Sequence, residues 1–167
     1  MLPALSDAGG AHDGGGASGD GARPRLVVCE DGTEYLERFQ RFLGAQFAFV
    51  PAPDFAAALD AAAAGADGLV LDLDFRRTPP ERLVDERGPA PPGLDAGSRR
   101  RLAETQGILI LRQLRARGVA LPALLFADLD DEGQARFLAQ TLAPLTLASS
   151  RAGIVEVAAL MRALLGR

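Results

Sequence analysis

Residues 68–80, GLVLDLDFRRTPP, decide how the chain is read. The apolar run Leu69, Val70, Leu71 ends in two carboxylates one residue apart, Asp72 and Asp74, and then gives way to arginine and proline. A short apolar run bounded by turn residues reads as a buried strand of a parallel sheet. The C-terminal end of such a strand is where open α/β sheets place their chemistry, and also where a strand simply reaches water. The residues on either side have to separate these two cases.

Working outward, apolar runs of strand length alternate with segments of helical period from Arg25 onward, which predicts five β-α units around a parallel sheet. The first strand is RLVVC, residues 25–29, followed by the helix EYLERFQRFL, in which Tyr35, Leu36, Phe39, Phe42 and Leu43 recur at helical spacing. The second strand is QFAFV, residues 46–50, which Pro51, Pro53 and Asp54 stop before an alanine-rich helix from Phe55 to Ala64 that Gly65 closes. After the third strand, GLVLDL, the pattern fails for residues 75–98, which carry five prolines and read as a long loop. Helical period returns over residues 99–118, with Leu102, Ile108, Leu109, Leu111 and Leu114 available to face the sheet. PALLFA is the fourth strand, Asp130 or Asp131 caps the fourth helix, LTLA is the fifth strand, and the last helix runs over residues 152–165. The first 24 residues, rich in Gly, Ala, Ser and Asp, bury too little to fold and are read as a disordered tail. Residues 25–167 are read as one domain with an insertion at about 75–98.

Composition removes several classes of function. The formal charge of −4 argues against a nucleic-acid partner, which needs a basic face. The sole histidine is His12 in the tail, the sole cysteine is Cys29 in an apolar strand, and lysine is absent. Those absences rule out a Ser-His-Asp or Cys-His site, a zinc site and a phosphate-binding loop with its lysine. Cys29 is expected to be a buried, inert thiol, in keeping with a reducing cytoplasm. No stretch reaches the apolar length of a membrane helix, and the start of the chain lacks the pattern of a secretory signal, so no membrane partner is expected.

The first strand also ends in acids, Glu30 and Asp31. In a doubly wound sheet of order 2-1-3-4-5, strands one and three are neighbours at the switch point, and Glu30, Asp31 and Asp72 converge in one crevice. Carboxylates crowded in this way either hold a divalent cation, most naturally Mg²⁺, or accept raised pKa values.

These residues are where the sequence resembles a known family, the response-regulator receiver domains of two-component signalling. The resemblance runs from about Arg25 to Leu165 outside the loop, and rests on the acidic pair ED, on ADGLVLDL and on GILILRQLRARGVALPALLF. It implies an α/β, flavodoxin-like (βα)5 fold. It also implies that Glu30 and Asp31 are metal-binding acids, that Asp72 is the nucleophile for a phosphoryl group, and that the carbonyl of Asp74 is a further Mg²⁺ ligand. The departures are equally specific. Where the family has a Ser or Thr at the end of strand four, this chain has Ala127. Where the family has a lysine at the end of strand five, it has Ala148 or Ser149, and the aromatic switch residue corresponds to Leu145. The side chain of Asp74 adds negative charge beside an incoming phosphoryl group.

Receivers of this family cross from strand three to helix three in a short turn, so the long loop is a further departure. It is expected to lie above the crevice, where Arg76 or Arg77 can pair with Asp72 or Asp74 in place of the missing lysine and metal. Arg99, Arg100 and Arg101 oppose the dipole at the start of the third helix, so Asp85 and Glu86, or another protein, are expected as their partners.

The reading is therefore of an atypical, stand-alone receiver-like protein that acts through protein–protein contact, with absent or weak phosphorylation. Its partners would be a histidine kinase or a signalling or motility protein, or a second copy through the helix 4–strand 5–helix 5 face, because the last helix is apolar around much of its circumference. A working Mg²⁺-dependent phosphoacceptor at Asp72 is the first alternative. The second is an enzyme, since Asp72 and Asp74 are similar to the aspartate pair of haloacid-dehalogenase-type phosphatases, with Asp128, Asp130 and Asp131 as the further acids such an enzyme needs.

Overall fold

The computed structural model describes residues 22–167, so His12 and all of the expected tail before Ala22 lie outside the described residues. Five strands, β1 (Arg25–Cys29), β2 (Ala48–Ala52), β3 (Gly68–Asp72), β4 (Ala123–Phe126) and β5 (Leu145–Ala148), form one parallel sheet of order β2-β1-β3-β4-β5. Alternation along the strands divides the core into two layers. Val27, Cys29, Leu69, Leu71, Ala123 and Leu125 point to one face, under the helices α2 (Phe55–Ala63), α4 (Gln106–Ala116) and α5 (Glu132–Thr141). Leu26, Val28, Val70, Leu124 and Phe126 point to the other, under α1 (Glu34–Leu43) and α6 (Ile154–Leu164). Period-2 alternation with both faces apolar is what a doubly wound sheet requires.

Three expectations need correction. The second strand runs two residues later than the sequence suggests, and Pro51 lies inside it, opposite Val28. β2 is an edge strand, where a residue without an N–H is tolerated, and Asp54 caps α2, its carboxylate accepting from Ala57 N at 2.9 Å.

The single helix expected over residues 99–118 is two: α3 (Ala96–Glu104) and α4, broken at Thr105. Helical period continues across the break, but Gly107 N donates to Leu73 O at 3.1 Å, which draws the start of α4 onto the end of β3. A Cβ at residue 107 would lie 1.9 Å from the Asp72 carbonyl oxygen, so only glycine allows this approach. Asp95 caps α3, which places Arg99, Arg100 and Arg101 beyond its first residues. Arg100 pairs with Glu104 instead of with the loop acids. Asp85 accepts from the backbone of Arg87 and Gly88, and Glu86 pairs with Arg112.

The third correction concerns the insertion. Only its first residues sit at the acidic crevice, and the remainder forms a strap along α2 and α4. Phe75, Leu83 and Val84 are buried, residues 80–82 make a 3-10 turn, and Val84 bridges Pro89. The buried Gln106 side chain donates to Val84 O and accepts from Val84 N, Gln113 donates to Asp85 O, and Arg82 pairs with Asp54. Proline and charge gave the segment no periodicity; its order comes from these tertiary contacts, which local sequence does not display.

On α6, packing against the sheet and α1 partly buries Ile154, Leu160, Leu164 and Leu165 and leaves Val155 as the large exposed apolar residue. The apolar surplus read from the sequence is therefore mostly used inside the fold. Among the described residues no helix is long and apolar enough to cross a membrane.

Candidate functional site

The ends of β1 and β3, with the turn that follows β3, enclose a cleft of about 310 Å³ lined by Asp31, Asp72, Asp74, Arg76 and Arg77. β3 delivers Asp72 to its floor. Asp72 Oδ1 accepts from Leu73 N at 2.8 Å, and partial burial raises its pKa from 3.8 to about 6. The Leu73 N–H works against that rise, while the charges of Asp31, Asp74 and Glu30 add to it.

The Asp31 side chain is only 4% exposed, and both its oxygens accept from one residue. Arg77 N donates to Oδ2 at 2.6 Å, and Arg77 Nε donates to Oδ1 at 3.2 Å. The same guanidinium reaches Glu34 on α1, with Nη1 to Oε1 at 2.6 Å and Nη2 to Oε2 at 3.0 Å. This pairing holds the Glu34 carboxyl down at about 2 and pushes the Arg77 guanidinium up. Gly32 forms the wall beside it: a Cβ there would come within 2.3 Å of Arg77 Nη2. Arg76 pairs with Asp74 through both its side chain and its backbone N–H, in an exposed position. Of the pairings expected for the two arginines, Arg76 with Asp74 is present, whereas Arg77 turns to Asp31 and Glu34.

Glu30 does not line the cleft. It is buried, and its two oxygens accept from Tyr35 N and Leu36 N at 3.0 and 2.7 Å, satisfying free N–H groups at the start of α1. Burial raises its pKa, and the two N–H groups oppose the rise. The expectation that Glu30, Asp31 and Asp72 converge is thereby corrected: the helix claims the first acid of the pair.

The ends of β4 and β5 differ in kind. Ala127 and Ala148 are buried and joined by Ala127 N to Ala148 O at 2.9 Å, so neither offers a side-chain donor beside Asp72. The Ser149 hydroxyl donates to Asp128 Oδ1 at 2.7 Å, and Ser150 donates to the same carboxylate, which lowers the Asp128 pKa. Leu145 opens β5 and packs against the layer beneath α5. Asp131 caps α5 by accepting from Gly133 N and Gln134 N. Neither Asp128, Asp130 nor Asp131 lines the cleft, so the further acids of a phosphatase are not brought to Asp72. Cys29 is buried, and desolvation pushes its thiol up, away from the thiolate.

The residues do not fit a divalent metal in this arrangement. Asp31 is saturated by Arg77, Glu30 is turned away, and among the described residues no three His, Cys, Asp or Glu side chains are grouped to hold an ion. Glu34 and Gly32 are the participants that sequence reasoning missed. Their signal was present in EDGTE, residues 30–34, where a third acid follows a glycine just past the strand.

No protein-family model matches the sequence, and neither does any curated protein. Solved structures do match. The Francisella response regulator 1452 receiver domain superposes with a TM-score of 0.59 at 18% identity, covering 87% of this chain and 98% of that one. A two-component response regulator from Clostridium difficile gives 0.59 at 11%, covering 87% and 98%. An adenylate cyclase structure from Rhodopirellula baltica gives 0.58 at 12%, covering 86% and 88%. At such identities the likeness concerns the fold, and the fold is that of response-regulator receiver domains.

Proposed function

We propose that the chain is a receiver-like signalling module that works by binding other proteins, with Asp72 phosphorylated weakly or not at all. The observation that carries this reading is the lack of side-chain donors at the ends of β4 and β5. Ala127, just past β4, and Ala148, the last residue of β5, stand at the strand ends next along the sheet from β3, where a receiver would offer donors to a phosphoryl oxygen. Donors aimed at a reacting group are worth roughly 3 kcal/mol each, so their absence slows transfer and leaves the product with little to hold it. The Asp74 carboxylate adds repulsion on the other side, which Arg76 offsets only from an exposed position. The partner is read as a protein, either a histidine kinase or a signalling or motility protein, or a second copy meeting the α5–β5–α6 face. Catalysis on a small substrate is no part of this reading.

Intact-mass spectrometry of the full chain after incubation with acetyl phosphate and Mg²⁺, beside Asp72→Ala, tests the proposal. A negligible mass increase is expected. A stoichiometric phosphoryl adduct that Asp72→Ala lacks would instead make the chain a working phosphoacceptor.

A further inference from the structure

We infer that the Arg77 guanidinium is the resident cation of the acidic cleft, closing it to divalent metal ions and pinning the start of the insertion to the end of β1. The inference goes beyond the reading above, since it holds whether or not Asp72 takes a phosphoryl group.

The case begins with Asp31. Its carboxylate is almost wholly buried, and a buried charge is retained only with a partner and satisfied lone pairs. Arg77 supplies both, through its backbone N–H and its Nε, and it spends its remaining donors on Glu34. A planar guanidinium that bridges two carboxylates in this way is fixed in direction, unlike a solvated surface arginine. Gly32 provides the room for the bridge, because a Cβ there would lie 2.0 Å from Glu34 Oε2 and 2.3 Å from Arg77 Nη2.

A dissolved cation competes poorly with this arrangement. Arg77 is tethered four residues beyond Leu73, so it meets Asp31 at the high effective concentration of an intramolecular ligand. Mg²⁺ gives up its waters reluctantly and would have to displace Arg77 donors to coordinate Asp31. It would also lack Glu30, whose oxygens are bonded to the start of α1. The same contacts make the cleft and the insertion a single unit. The Arg77 backbone N–H and guanidinium both tie the chain to Asp31 shortly before the turn at Pro80–Arg82, so loss of the guanidinium leaves the backbone bond alone to hold the path into the strap.

The test is a titration of the full-length chain with Mn²⁺ alone, followed by loss of the free-ion electron paramagnetic resonance signal. The wild-type chain is expected to show no saturable binding at millimolar Mn²⁺. Arg77→Ala should bind one Mn²⁺ at least roughly tenfold more tightly, and Arg77→Ala with Asp31→Asn should lose that gain. Trypsin should cut the insertion at Arg82 and Arg87 faster in Arg77→Ala than in wild type, and added Mn²⁺ should slow it again. Saturable binding by wild type, or a folded Arg77→Ala that gains none, overturns the inference. If Arg77→Ala does not fold, Arg77→Gln keeps much of the side chain's length without its charge and should gain affinity in the same way; a folded Arg77→Gln that binds no better than wild type overturns the inference equally.

Discussion

The two halves of the sheet's C-terminal edge solve the same problem differently. At β1 and β3, carboxylates face a cleft and are balanced by arginines from the segment that follows β3. At β4 and β5 the strand ends carry methyl groups, and the acid that follows β4, Asp128, is bonded to two serine hydroxyls. One half keeps charge and supplies its own counter-charge; the other ends its strands in methyl groups and turns its serine hydroxyls to its own acid. The difference teaches that an acidic pocket in a receiver fold does not by itself report metal-dependent chemistry, because the balancing cation can be part of the chain.

The sharpest way to break the comparison is at the contact that sets its geometry. Gly107→Val places a side chain where a Cβ would already lie 1.9 Å from the Asp72 carbonyl, and should destabilise the fold by at least about 3 kcal/mol in urea unfolding. A loss under about 1 kcal/mol would mean that α4 shifts away from β3 easily and that the cleft is loosely held.

Restoring donors to the bare half should give the next largest effect. Ala127→Thr combined with Ala148→Lys is expected to raise phosphoryl uptake from acetyl phosphate at least roughly tenfold, read as the mass-shifted fraction. No change would place the obstacle in the charged half, at Arg77 and Asp74.

Asp72→Asn sharpens the comparison through pH. The folded-state pKa of Asp72 is about 6, above its ordinary 3.8. Between those values the folded chain holds a proton that the unfolded chain has released. Stability therefore falls as pH rises through this window, and the penalty persists above it. Asn removes the penalty, so the variant should be more stable than wild type by about 1–2 kcal/mol above the window, after allowance for solvent screening of a partly exposed group, and equal to it in acid. An identical difference at both ends of the pH range would show that the gain is packing rather than charge.

The smallest effect is expected for Arg100→Ala, which removes an exposed i,i+4 pair with Glu104 and should change stability by less than about 0.5 kcal/mol. A larger loss would indicate that the arginines of α3 do more than solvate a helix.

How far the sequence was legible follows from which contacts are local. Strand runs such as LVVC and ALLF, and the cap at Asp131, depend on neighbours in sequence, and the alternation of strands and helices could be read from them. The break at Thr105 could not, because it results from Gly107 meeting a strand end far from it in sequence. Within the site, Asp72 and Asp31 stood out as acids at strand ends, but which acid of the ED pair faces the cleft depends on the unpaired N–H groups of α1, and those took Glu30. The order of the insertion was hidden for a related reason. Its ties, Gln106 to Val84 and Arg82 to Asp54, link residues that no periodicity connects.

The Gln106 side chain has one further consequence. By accepting from Val84 N and donating to Val84 O it stands in for a peptide group, so the strap hangs from α4 much as a strand hangs from its neighbour. With the sheet on one side and the strap on the other, Gln106 through Leu111, Gln113 and Leu114 are all buried, and α4 is an interior helix. Anything that approaches from that side meets the strap before it meets α4 or the sheet beneath.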